Sequence, residues 1–131
     1  MGRQGASSTS NLVIAVIDDD SAVRNSLKFL LELEGLVVRI YTNGAELMGA
    51  GDLARCDCLV VDQNMPEPKG LDLIALLRAR EFNAPAILIT SHPSASLRDR
   101  AAKARVPIVE KPLLGNALLD KIRDLTANDG S

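Results

Sequence analysis

Residues 12–35 read LVIAVIDDDSAVRNSLKFLLELEG. Six aliphatic residues in a row, Leu12–Ile17, leave no polar face, the mark of a strand covered on both sides. Three acids follow at once. Then Val23, Leu27, Leu30 and Leu31 recur at helical spacing between Ser21 and Glu34, and Gly35 stops the helix. A buried strand, an acidic turn and an amphipathic helix make one βα unit.

The unit recurs along the chain. Leu36–Tyr41 is short and β-branched, and Ala45–Met48 is a short helix opened by Thr42 or Asn43. Cys58–Val61 reads as a strand and Leu71–Arg80 as a helix with Leu73, Ile74 and Leu77 on one face. Ala86–Thr90 is an aliphatic strand introduced by Pro85. Ser94–Ala104 is an Ala-rich helix with Leu97 as its one large apolar residue. Pro107–Glu110 is a last strand, and Leu114–Leu125 a last helix carrying Leu118, Leu119, Ile122 and Leu125. Five such units predict an α/β fold: a doubly wound, five-stranded parallel sheet with helices on both faces. Residues 1–10, MGRQGASSTS, have no period and are expected to form a flexible tail. Residues 128–131 are expected as a short second tail, leaving 11–127 as the folded unit.

Composition limits the functions open to such a unit. The chain has 131 residues, 47% hydrophobic and 24% charged, which suits one soluble core and excludes disorder of its body. Fifteen basic residues face 17 acidic ones, so no electrostatic footprint for nucleic acid is present. The longest apolar run is Leu12–Ile17, far short of the ~20 residues that span a bilayer. No charged segment and cleavage site flank it as in a signal peptide, and the cytoplasm is the expected compartment. Cys56 and Cys58, with His92 the only histidine, do not form a zinc site. Two residues apart at a strand entry, they are expected to point to opposite faces as small hydrophobes. With only Phe29, Tyr41 and Phe82 as aromatics, a base-stacking surface is not expected.

In a doubly wound sheet, ligands bind beyond the carboxyl ends of the strands. Asp18-Asp19-Asp20, Asp62, Thr90-Ser91 and Lys111-Pro112 all fall there. Clustered carboxylates repel one another unless a cation joins them. Hard oxygen ligands of this kind suit Mg²⁺. An Asp at the tip of a buried strand, beside a metal and a lysine, is placed to attack a phosphoryl group. Asp20 is either a third metal ligand or the cap of the helix starting near Ser21, and the cap is the expected role.

These residues resemble a known family. Ile17-Asp18-Asp19-Asp20, then Asp62-Gln63-Asn64-Met65-Pro66 with Gly70, then Ile89-Thr90, then Glu110-Lys111-Pro112 are similar to the receiver domain of two-component response regulators. The resemblance covers about residues 11–127 and implies a flavodoxin-like (βα)5 sheet in the strand order 2-1-3-4-5. It implies that Asp62 is the phosphoacceptor. Asp19, Asp62 and the main-chain carbonyl of Asn64 would bind Mg²⁺, with Asp18 acting through a water. Thr90 and Lys111 would contact the phosphoryl group, and Lys111-Pro112 would be a cis peptide. Asn64 and His92 fall at two positions that tune the reaction rates in this family. The implied partners are a sensor histidine kinase or histidine phosphotransfer protein as donor, and a downstream protein on the face of helix 4, strand 5 and helix 5. A homodimer is compatible with that face; neither a membrane nor nucleic acid is implied for this chain. The implied activity is that of a switch that phosphorylates and dephosphorylates itself, not a turnover enzyme.

Two rivals are weaker. A phosphatase with an Asp nucleophile needs an acid two residues later, where this chain has Asn64. A pseudo-receiver that only dimerises would lack Asp19, Asp62 or Lys111. The chain also departs from the family. Ile108 stands where an aromatic is usual three residues before the lysine, and Ala104-Arg105-Val106 replaces a turn of small residues. Arg98, Arg100, Lys103 and Arg105 against Asp99 give the fourth helix a local charge of +3, read as a solvated face or a site for an acidic partner.

Overall fold

The computed structural model describes residues 12–51, 55–113 and 115–127. The tails expected at 1–10 and 128–131 lie outside them. The elements run β1 Val13–Ile17, α1 Ser21–Leu33, β2 Val37–Tyr41, α2 Gly44–Gly49, β3 Cys58–Asp62, α3 Gly70–Ala79, β4 Ala86–Thr90, α4 Ala95–Lys103, β5 Ile108–Glu110 and α5 Ala117–Ala127. The five strands form one parallel sheet in the order β2-β1-β3-β4-β5, as the resemblance implies.

Alternation within each strand sorts the core into two layers. Ala15, Ile17, Leu59, Val61 and Leu88 face α2, α3 and α4 through Leu47, Leu73, Ile74, Leu77 and Ala101. Ile14, Val16, Val60, Ile87 and Ile89 face α1 and α5 through Leu27, Leu31, Leu118 and Ile122. Strands so enclosed cannot carry a polar face, which is why β1, β3 and β4 read as unbroken aliphatic runs. Cys58 belongs to the second layer, and the half-buried Cys56 packs on the first. They meet opposite layers, as expected, although residues two apart in a strand share a face, because Cys56 precedes β3, which begins at Cys58.

Most helix boundaries follow their caps. Asp20 accepts from the Ala22 and Val23 amides, which settles it as the N-cap of α1. Asn43, not Thr42, caps α2 by accepting from the Glu46 amide. Two expectations shift. β3 runs one residue further than Cys58–Val61, so Asp62 closes the strand instead of following it. The last helix begins at Ala117, not Leu114, because Gly115 turns the chain with φ +70° before the helix can start.

Gly70, the first residue of α3, lies against β3. A Cβ there would meet the Asp62 carbonyl oxygen at 2.5 Å, Leu88 Cδ1 at 2.8 Å and Gln63 Cα at 2.9 Å. Two of these three are backbone and cannot yield. Gly70→Ala is therefore expected to cost about 2 kcal/mol by overpacking. Urea denaturation checks it, and unchanged stability would show that α3 lifts off the strand freely.

Candidate functional site: the carboxyl edge of the sheet

The chain leaves β1 toward β2 and returns past β1 to β3, so the order of winding reverses between β1 and β3. The cleft above that reversal is where a doubly wound sheet exposes its strand ends. Asp18 follows β1 and Asp62 ends β3, in adjacent strands with Ile17 paired to Val61. Carboxylate oxygens of Asp18, Asp19 and Asp62 lie within 4.8 Å of one another. Asp18 and Asp62 are buried, and Asp19 is exposed.

Lys111 reaches the same point from the end of β5. Its amide donates to the Thr90 carbonyl at 2.9 Å, extending the ladder past the strand. Its ammonium lies 3.2 Å from Asp62 Oδ1 and 3.7 Å from Asp18 Oδ2. The Lys111-Pro112 peptide is cis. Backbone donors hold the rest: the Asp20 amide on Asp18 Oδ1 at 2.9 Å and the Asn64 amide on Asp62 Oδ1 at 3.2 Å. Arg24 Nη1 donates to the Asp18 carbonyl at 2.8 Å and orients that turn from α1.

Three carboxylates against one ammonium leave the pocket electrostatically unbalanced. Burial pushes the Asp18 carboxyl up from 3.8 to about 6, and the neighbouring Asp62 charge adds to it. The Asp20 amide and Lys111 pull the other way and do not cancel it. Asp18 Oδ2, fully buried, accepts no hydrogen bond from the described residues. A buried carboxylate oxygen without a donor, beside two further carboxylates, fits a small hard cation with oxygen ligands.

Thr90 ends β4 and is buried. Its hydroxyl accepts from Asn64 Nδ2 at 3.4 Å and donates to the Ser91 carbonyl at 3.3 Å. It is thus linked to the loops that follow β3 and β4, not to the Asp62 carboxylate itself. His92, two residues on, is exposed with φ +50°. Ile108 is half-buried against the core layer under α4. The basic residues of α4 are largely engaged. Arg98 pairs with Glu110 at 2.5 Å, Arg100 with Asp72 at 2.9 Å and Lys103 with Asp99 at 3.2 Å.

Motif and periodicity do not single out Gln63, yet it belongs to the site. It is buried immediately after Asp62, and its side chain accepts from the Leu71 amide. The sequence does carry a signal for it: a long amide in the position that follows a buried strand, where an apolar side chain needs no partner.

Comparison with known proteins agrees with this geometry. The family described as the response regulator receiver domain matches residues 14–123. The transcriptional regulatory protein FixJ of Azorhizobium caulinodans is 39% identical over 86% of this chain and 54% of its own length. The C4-dicarboxylate transport transcriptional regulatory protein DctR of Rhodobacter capsulatus is 32% identical over 92% of this chain and 63% of its own length. The chain thus spans about half to two-thirds of these relatives. Among solved structures, FixJ-N superposes with a TM-score of 0.76 at 28% identity, covering 89% of this chain and 94% of that one. With the sheet order, the acidic cleft and the family match in agreement, the chain belongs to the receiver domains of two-component response regulators.

Proposed function

We propose that Asp62 accepts a phosphoryl group in a Mg²⁺-dependent reaction whose donor is a phosphohistidine of a sensor kinase or histidine phosphotransfer protein. The observation that carries this is the position of Asp62: a buried carboxylate held by Lys111 and the Asn64 amide, facing two further acids. A carboxylate oxygen attacks phosphorus, and the phosphorus–nitrogen bond of the donor breaks. The electron pair leaves with the imidazole nitrogen. Lys111 compensates the charge on the phosphoryl oxygens, and Thr90 turns its hydroxyl from Ser91 toward them. Asp19, Asp62 and the Asn64 carbonyl would hold Mg²⁺, with Asp18 acting through a water, and the ion would neutralise charge on the transferring group.

Residues 11–127 form the receiver unit in this reading, and it acts in the cytoplasm as a switch without turnover of a separate substrate. No helix among the described residues is long and apolar enough to cross a membrane. The surface of α4, β5 and α5 is read as the face for a downstream protein. Exposed charges there, in pairs such as Arg98–Glu110, offer exchangeable contacts.

The test is direct. With a small-molecule phosphodonor and Mg²⁺, intact-mass analysis should show one added phosphoryl group, stable to acid and labile to base. Excess chelator should prevent its addition. No addition, or addition unaffected by chelator, overturns the reading.

A further inference from the structure

We infer that Gln63 is a positioning residue for the phosphoacceptor, one that fixes the loop after Asp62 to the start of α3. This rests on the assignment of Asp62 above. A helix begins with amides that have no partner within the helix. At α3 the N-cap residue is Lys69, whose side chain makes no capping hydrogen bond. The cap comes instead from the end of β3: Gln63 Oε1 accepts from the buried Leu71 amide at 2.8 Å. The backbone of the same residue makes two more ties. Its amide donates to the Ile89 carbonyl at 2.9 Å, and its carbonyl accepts from the Gly70 amide at 3.3 Å.

Gln63 therefore joins β3, β4 and α3 at the residue next to Asp62. The missing Cβ of Gly70 lets the first turn of α3 rest on the Asp62 carbonyl and on Gln63 Cα. Between these anchors lies the loop that carries Asn64. Its amide holds Asp62 Oδ1, its side chain holds Thr90, and its carbonyl is a proposed metal ligand. An apolar side chain at position 63 would fill the space but leave the Leu71 amide buried without an acceptor. The loop would then lose one of its fixed ends. A misplacement of about 1 Å in reacting groups can cost about a hundredfold in rate.

The experiment compares wild type, Gln63→Met and Gln63→Glu. Met keeps the length and lacks the acceptor, whereas Glu keeps an acceptor for the Leu71 amide. Gln63→Met should lower the maximal phosphorylation rate with a small donor about tenfold. Its half-saturating donor concentration should stay unchanged, and its Mg²⁺ affinity should fall. Gln63→Glu should recover most of the rate. Amide exchange at Leu71 should quicken in Gln63→Met and not in Gln63→Glu. If Gln63→Met loses only thermal stability and keeps the rate and Mg²⁺ affinity of the wild type, the residue is structural and the positioning role is wrong. Equal losses of rate in both variants also overturn it. A wild type that takes up no phosphoryl group overturns the Asp62 reading itself, and this role with it.

Discussion

Asp62→Asn is expected to take up no phosphoryl group from a small donor, a fall of at least about a hundredfold in yield. The amide oxygen is uncharged, and its electron density is shared with nitrogen, so it does not attack phosphorus. The fold should survive. Asn retains an oxygen for the Asn64 amide and for Lys111, the two groups that contact Asp62 Oδ1. Loss of one buried charge from an acid-rich pocket also relieves repulsion with Asp18. Intact-mass analysis beside a thermal melt checks both halves. A variant as stable as wild type and modified to the same extent would place the chemistry elsewhere.

Lys111→Met should destabilise the metal-free protein by about 3 kcal/mol at neutral pH, because it leaves two buried carboxylates uncompensated. Lys111 is 24% exposed while Asp18 and Asp62 are 0% and 3% exposed at their side chains, so the cost falls on the acids. Asp18→Asn should do the opposite. The Asp18 carboxyl titrates near 6 when folded and at 3.8 when unfolded, so the folded state binds more protons between these values. Stability is greatest below about pH 4 for this group and is lost as pH rises through about 6. The neutral amide removes that loss, adding up to about 3 kcal/mol at pH 7 in the metal-free state. It should also weaken stabilisation by Mg²⁺. Urea titrations with chelator and with Mg²⁺, at pH 4.5 and pH 7, separate these effects. If Asp18→Asn is less stable than wild type in chelator at pH 7, the pocket is not electrostatically overloaded.

The fold was legible because burial on both faces left its mark on composition. Unbroken aliphatic runs as short as Leu12–Ile17 and Ala86–Thr90, each bounded by polar residues, fit strands enclosed by helices and are too short to cross a bilayer. The site was legible for a related reason: polar residues at the ends of such runs, as with Asp18, Asp62 and Thr90, must meet at one edge of a parallel sheet. What stayed hidden depends on partners that packing, not spacing, brings together. Arg100 finds Asp72, and Gln63 finds the Leu71 amide, through the seating of α3 that periodicity does not specify. Periodicity also starts α5 too early. Leu114 continues the apolar spacing, while the left-handed turn at Gly115 decides where helical geometry begins.

An acyl phosphate on an aspartate is reduced by borohydride to the alcohol, leaving homoserine at the modified position and no other. Phosphorylated protein, so reduced and then mapped by tandem mass spectrometry, reports the acceptor residue itself. Homoserine at position 62, dependent on both the phosphodonor and Mg²⁺, is the predicted result. Homoserine at position 18 or 19, or at no position in a phosphorylated sample, would contradict the assignment of Asp62 as the phosphoacceptor.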